Sequence, residues 1–235
     1  MHVFSIVLAL ALAAPQADKD KAATLKELVK TINQAVGKAD VAGAKAAFGQ
    51  AESLRADFQD KQLAPLAAAI GKGTASKNKE LALASVETLG KLKIAGSSKS
   101  LGKLLSPPAK PKEDALALHK AAIAAAGSIH DASSLKTLEK LVAHKNAPVA
   151  AAAAEALGGY SAMEPKQRLG LAKRLVKTLA KLEKKVKGTK DPIEREPLET
   201  VQTALLSGLS KLMNREGLAN ADAWEEYLKE AAKGE

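Results

Sequence analysis

Apolar residues recur every three or four positions along most of this chain, the spacing that places them on one side of an α-helix. A first such stripe occupies residues 24–36, where Asp20 can cap the start of the helix and Gly37 its end. A second stripe occupies residues 41–58, directly after Asp40, another capping residue. The two segments predict a helical hairpin within residues 18–60.

Four further helices are predicted to be related, because each ends in a glycine that follows seven mostly small or apolar residues. The segments are LASVETLG, KAAIAAAG, AAAAEALG and the more loosely matching VQTALLSG, and they end at Gly90, Gly127, Gly158 and Gly208. Another helix is predicted before each of them, over residues 65–70, 99–105, 135–143 and 166–186. Ala and Gly let neighbouring helices approach closely, and one helix pair cannot bury such a surface alone. We therefore expect stacked helix pairs over residues 61–217, closed by a capping helix within residues 218–235.

Proline and polar residues separate these helices. Three prolines between residues 107 and 111 indicate a loop. The prolines suited to a first helical turn are Pro148 and Pro165, and the available caps are Ser133, Asn146 and Asp191. Aromatic residues make up only 3% of the chain, and no segment has the composition of a strand. The expected fold class is therefore all-α.

The repeated segments resemble those of HEAT-like (armadillo-type) helical repeat proteins. The resemblance is carried by V-E-T-L-G at Val86–Gly90, by A-E-A-L-G at Ala154–Gly158 and by the spacing of the helix pairs, and it covers residues 61–213. It implies an α-solenoid of stacked antiparallel helix pairs. The family contains scaffolds, transport factors and some lyase-like enzymes, so it says little about activity. The segment Asp222–Ala231 is similar to the tryptophan-bearing helix that follows such repeats in some exported bacterial proteins.

The amino-terminal residues 1–17 are typical of a signal peptide. The apolar run Val3–Ala14 is too short to cross a bilayer, and Ala11 and Ala13 fit an A-x-A cleavage pattern. Only His2 and the amino terminus stand where Lys or Arg is usual, so a buried or interfacial terminal helix is the alternative. We expect export to the periplasm or the extracellular space, with no stable membrane span after cleavage.

Residues that could support catalysis, a cofactor or a metal form no recognisable constellation. There is no cysteine, which excludes disulfides and thiolate chemistry. His119 and His130 are separated by roughly 16 Å along one predicted helix and cannot share a metal. Gly71–Thr74 resembles part of a phosphate-binding loop but lacks the first glycine and a preceding strand, so a turn at a helix end is expected. We predict no catalytic, cofactor or metal site.

Charge is distributed unevenly along the chain, whose formal net charge is +10. Residues 164–190 contain ten Lys or Arg and two acids, beside an apolar stripe on the same predicted helix. These cations either form a solvated surface or bind an anionic partner, and the candidate residues are Lys173, Arg174, Lys177, Lys181, Lys184 and Lys185. The acidic segment 191–235 can instead fold back and neutralise them. Nucleic acid is not an expected partner, because no aromatic residues are interleaved with the basic run to stack on a single strand, and duplex binding conflicts with the expected export.

Three functions remain open at this level. The leading hypothesis is a non-enzymatic scaffold for protein–protein interaction outside the cytoplasm, with a protein partner whose identity the sequence does not give. The alternative is a binder of an anionic polymer or envelope surface through residues 166–190. A lyase-like enzyme is suggested only by the family resemblance.

Overall fold

The computed structural model describes the backbone of residues 3–233 and the side chains of residues 20–233. Within this range the chain forms α-helices and short 3-10 turns and contains no strand, so the predicted all-α fold class is confirmed. The helices are α1 Val3–Gly37, α2 Val41–Leu54, α3 Asp60–Gly73, α4 Lys79–Leu92, α5 Glu113–Ile129, α6 Ala132–Leu141, α7 Ala147–Leu157, α8 Pro165–Gly188, α9 Pro192–Met213 and α10 Ala221–Ala231. They fall into two compact units, Met1–Ser85 and Val86–Glu235, with the boundary inside α4.

In the first unit, α1 packs against α2 and α3. The predicted cap at Asp40 is confirmed, because its carboxylate accepts a hydrogen bond from the Gly43 N–H at 3.0 Å. The predicted cap at Asp20 is wrong. Helix α1 runs through that position from Val3, and the Thr24 side-chain hydroxyl, one turn later in the same helix, donates to the backbone oxygen of Asp20 at 2.9 Å.

The signal-peptide prediction covers residues 1–17. Residues 1 and 2 lie outside the described part of the chain, and the remainder forms the start of α1, where side chains are not described. Cleavage therefore stays a prediction. Among the described residues, no helix is both long and apolar enough to cross a membrane.

In the second unit, α7 packs against α5, α6 and α9, while α8 packs against α9 and α10. The aligned glycines lie where consecutive helices of the repeated type approach most closely. A Cβ atom at Gly90 would lie 3.0 Å from the Cα of Ala125 in α5, and one at Gly127 would lie 2.7 Å from Ala156 in α7. Gly208 of α9 in turn approaches the backbone oxygen of Ala154. The sequence alignment of these segments thus corresponds to a series of helix contacts through backbone and small side chains.

Three of the four helices predicted to precede the glycine segments are present, as α3, α6 and α8. The prediction of a helix over residues 99–105 is wrong. The chain forms only a 3-10 turn, Ser97–Leu101, followed by further turns. The turn starts after Gly96, whose φ of 83° lies in the left-handed region, and it is held by Asp131, whose carboxylate accepts bonds from the Gly96 and Ser98 N–H groups.

The predicted cap at Ser133 is wrong. The N-cap residue of α6 is Asp131, and its carboxylate accepts hydrogen bonds from the 96–98 turn instead of from its own helix. Asn146 and Asp191 cap α7 and α9 as predicted. At the carboxyl end, Trp224 of α10 is completely buried and its indole N–H donates to the Leu218 oxygen at 3.1 Å.

Candidate functional site

The first candidate surface is the set of six cations predicted on α8, called here the basic face: Lys173, Arg174, Lys177, Lys181, Lys184 and Lys185. All six are exposed. Because successive residues advance by about 100° around a helix, they lie on the side opposite the buried residues Leu171, Leu175 and Leu179. The structure therefore brings the six side chains to one solvent-facing surface.

Arg174 differs from the five lysines of the basic face because it is engaged in a specific contact. Its guanidinium donates to both carboxylate oxygens of Glu139 in α6, at 2.7 and 2.9 Å. This hydrogen bonding raises the pKa of Arg174 above its usual value. Among the described residues, the five lysines form no ion pair within 4.0 Å. Arg174 ties α6 to α8, and the lysines remain open to a partner.

The carboxyl-terminal segment reaches this surface without neutralising it. Glu225 of α10 lines a pocket of ≈ 280 Å³ together with Lys173 and Lys177, but its carboxylate pairs with Lys229 of the same helix at 3.2 Å. Glu183 of α8 is used to cap α10, since it accepts from the Ala221 N–H at 3.0 Å. Helix α10 thus packs on α8, yet its ion pair with Lys229 lies within α10 and leaves Lys173 and Lys177 unpaired among the described residues.

A second surface was not predicted from the sequence. It is a groove of ≈ 520 Å³ between α5 and α7, called here the inner groove. Small residues supply much of its lining, namely Ala121, Ala124, Gly127, Ser128, Ala152, Ala156 and Gly159. The long polar side chains along it are Lys93, Lys120, His130, Glu155 and Lys211. The groove is open to solvent because the residues that line it there, such as the exposed Ala124, have short side chains.

Two further grooves adjoin the inner groove. One of ≈ 460 Å³ lies between α4 and α5, shares Lys93 with it and adds Glu87 and Lys91. The other, of ≈ 440 Å³ between α7 and α9, shares Glu155 and adds Glu196 and Glu199. The lining therefore changes from lysine-rich in the inner groove, which includes Lys211 near the end of α9, to glutamate-rich near the start of α9, where Glu199 is paired with Arg195 at 3.1 Å. Such a gradient can fix the direction in which a charged partner lies.

His130 has a structural position beside the inner groove. It follows α5 with a φ of 59° and contacts the ring of Tyr160 edge-on, at 5.7 Å between ring centres. Partial burial and then the nearby Lys93 charge lower the pKa of His130. Burial, and secondarily Asp131, raise the pKa of Tyr160, whose hydroxyl donates to the Asp131 backbone oxygen at 3.0 Å. His130 is therefore neutral near pH 7 and supports the fold.

One signal in the sequence could have located the inner groove. Lys93, His130 and Lys211 each stand three residues after an aligned glycine, at Gly90, Gly127 and Gly208. Equivalent positions of a repeat occupy equivalent places in an array, so these three side chains are expected on a common side. These three residues lie after the glycines and therefore outside the aligned segments, so they were not predicted to share a surface.

The remaining sequence candidates have local structural contacts. The His119 ring lies 2.7 Å from the Leu104 backbone oxygen, to which its Nδ1–H can donate. Gly71 accepts from the Thr74 hydroxyl at the end of α3, the expected helix-ending turn. Among the described side chains, no group of three or more His, Asp or Glu has the arrangement of a metal site.

Comparison with models of known protein families finds no match for this chain, and comparison with curated protein sequences finds no significant relative.

Proposed function

We propose that this protein is a non-enzymatic protein-binding scaffold, built as a HEAT-like α-solenoid of antiparallel helix pairs and exported after cleavage of residues 1–17. The observation that carries the proposal is the row of adjoining grooves across α4, α5, α7 and α9. Repeat proteins present extended surfaces of this kind to their partners. The aligned glycines support the repeat architecture, because each lies at a close helix contact.

The lining of the grooves suits a polypeptide. Alanine and glycine leave room for a chain to lie across the helices, and the polar side chains around them supply charge-based selectivity. Ala124 lines both the inner groove and its neighbour toward α4, and it is exposed. It is therefore the position from which a bound partner is best detected.

Site-specific photo-crosslinking in the native cell tests this proposal. Benzoyl-phenylalanine is placed at Ala124 and, as a control, at the exposed Lys136 of α6, which lines none of the grooves. We expect one protein to be captured from Ala124 and not from Lys136. The purified chain should then bind the purified captured protein, and the Ala124→Phe variant, in which the groove is blocked, should not bind it. The absence of any captured protein at Ala124 would refute the scaffold, and specific turnover of a small molecule would then indicate an enzyme. The amino terminus of the recovered protein, read in the same experiment, tests export.

A second candidate function is favoured by the basic face of α8. Five exposed lysines without ion pairs lie on one helix side, an arrangement that attracts an anionic polymer or envelope surface. Retention on heparin at increasing salt tests it with the variant Lys173→Glu/Lys177→Glu/Lys184→Glu. The expected result is earlier elution than a control variant that carries Lys26→Glu and Lys30→Glu on α1 and Lys38→Glu directly after α1. Equal elution of the two variants would show that only net charge matters.

A further inference from the structure

The inner groove collects cations from separate parts of the chain. Lys93 directly follows α4, Lys120 belongs to α5 and Lys211 to α9, yet all three side chains line the same groove. Among the described residues that line it, Glu155 is the only carboxylate. The groove is therefore positively charged because the tertiary structure brings these three lysines together. They are not clustered in the sequence, so the sequence does not predict this charge.

These charges are available to a ligand. Lys93, Lys120 and Lys211 are exposed, and among the described residues none of them has a carboxylate within 4.0 Å. Lys93 and His130 line the same groove. Unpaired cations around a cleft raise the local concentration of anionic ligands.

The shape of the groove favours a chain over a small ion. A site for a single phosphate brings several donors together around one enclosed point, whereas here the three lysines are all exposed and the groove continues into that between α4 and α5. The small residues Ala121, Ala124 and Ser128 line both grooves. They leave a continuous path on which a backbone with small side chains can lie.

We propose that the inner groove binds an acidic segment of a protein partner, with small residues between its carboxylates, held by Lys93, Lys120 and Lys211. This inference rests on the proposed scaffold function and specifies the chemistry of its partner. Glu155, and Glu196 near the start of α9, repel acidic residues, so the acidic part of the segment lies beside the three lysines and away from the start of α9.

Fluorescence anisotropy with the full-length chain tests the proposal. The probe is a labelled decapeptide of alternating Glu and Ala, and its counterpart alternates Lys and Ala. The groove variant is Lys93→Gln/Lys120→Gln/Lys211→Gln, and the matched control is Lys173→Gln/Lys177→Gln/Lys184→Gln on the basic face. Both variants remove three exposed positive charges, so non-specific attraction falls equally in the two. Ala124→Phe blocks the groove without changing charge.

We expect the groove variant to weaken binding of the acidic peptide about tenfold, since each exposed charge pair contributes a factor of about two to three. The basic-face control should change binding of the acidic peptide less than the groove variant does. Ala124→Phe should also weaken binding of this peptide, although it leaves the charge of the protein unchanged. Equal losses in the two lysine variants would overturn the proposal in favour of non-specific attraction. Competition by inorganic phosphate at matched ionic strength would overturn it in favour of a small-anion site.

The same assay separates this inference from the scaffold proposal. If the Lys–Ala peptide binds instead, and Ala124→Phe abolishes that binding, the acidic ligand class is wrong while the scaffold stands. If no peptide binds but photo-crosslinking from Ala124 still captures a partner, the inference again fails alone. If neither peptide nor partner is found at Ala124, both proposals fail.

Discussion

The contact between α5 and α7 at Gly127 gives a quantitative test of the proposed repeat packing. In Gly127→Ala, the new Cβ would lie 2.7 Å from atoms of Ala156. Carbon atoms in contact are normally separated by about 3.5–4.0 Å, so the two helices must move apart by about 1 Å. The nearest atoms include the Ala156 backbone, which no side-chain rotation can remove.

Two opposing effects determine the result. Overpacking a well-packed contact costs about 1–3 kcal/mol, while replacing a helical Gly by Ala gains up to about 1 kcal/mol. We therefore expect a net destabilisation of about 1–2 kcal/mol. The matched control is Gly170→Ala in α8, where the nearest atom is the flexible end of Arg174 at 3.6 Å. There only the propensity gain applies, and stability should rise by about 0.5–1 kcal/mol.

The assay is urea unfolding followed by tryptophan fluorescence. Trp224 is the only tryptophan, and it lies buried in the second unit, which also contains Gly127. With a slope of about 2 kcal/mol/M, the expected midpoint falls by about 0.5–1 M for Gly127→Ala and rises slightly for Gly170→Ala. Stabilisation of both variants by the same amount would refute the close approach of α5 and α7.

Three further predictions concern polar contacts of the second unit. Asp131→Asn should release the 96–98 turn, because it weakens charge-assisted bonds to the Gly96 and Ser98 N–H groups. The expected result is faster proteolysis between residues 96 and 112, with an unchanged helical signal in circular dichroism. His130 has a lowered pKa in the folded state, so the unfolded state binds more protons below pH 6.5 and stability falls as the pH drops through that value. In His130→Asn, which tolerates the left-handed backbone, this part of the pH dependence should be missing from unfolding curves between pH 8 and 5; an identical slope would contradict it. A double-mutant cycle of Arg174→Gln and Glu139→Gln should give a coupling of about 0.5–1 kcal/mol, reduced by solvent exposure, and a value indistinguishable from zero would show that the pair is incidental.

Much of the helical pattern could be predicted because its causes are local. Asp40 and Asn146 cap helices through hydrogen bonds within three residues, and both were predicted. The turn at residues 97–101 could not be predicted in the same way, because it is held by Asp131, more than thirty residues later in the chain. The repeat pattern predicted a helix over residues 99–105, whereas hydrogen bonds to the distant Asp131 hold a 3-10 turn in this region.

The two candidate surfaces also differ in whether their cause is local or long-range in the sequence. The basic face consists of residues on a single helix, so helical periodicity alone was enough to place Lys173, Lys177 and Lys184 together. The inner groove brings together Lys93, Lys120 and Lys211 from three regions, and their proximity depends on the order and closeness of helix packing. No local pattern contains that information, although the constant offset of Lys93 and Lys211 from an aligned glycine is a trace of it.

Packing and binding make compatible demands on α5. Gly127 must be small for α7 to approach, and the neighbouring Ala124 must be small if the groove is to stay open. Filling Gly127 should therefore destabilise the fold, whereas filling the exposed Ala124 should leave stability nearly unchanged and affect only binding. Comparing Gly127→Ala with Ala124→Phe in the unfolding and peptide assays separates the two roles. If Ala124→Phe destabilises the chain as much as Gly127→Ala does, position 124 belongs to the packing and the groove is not an open site.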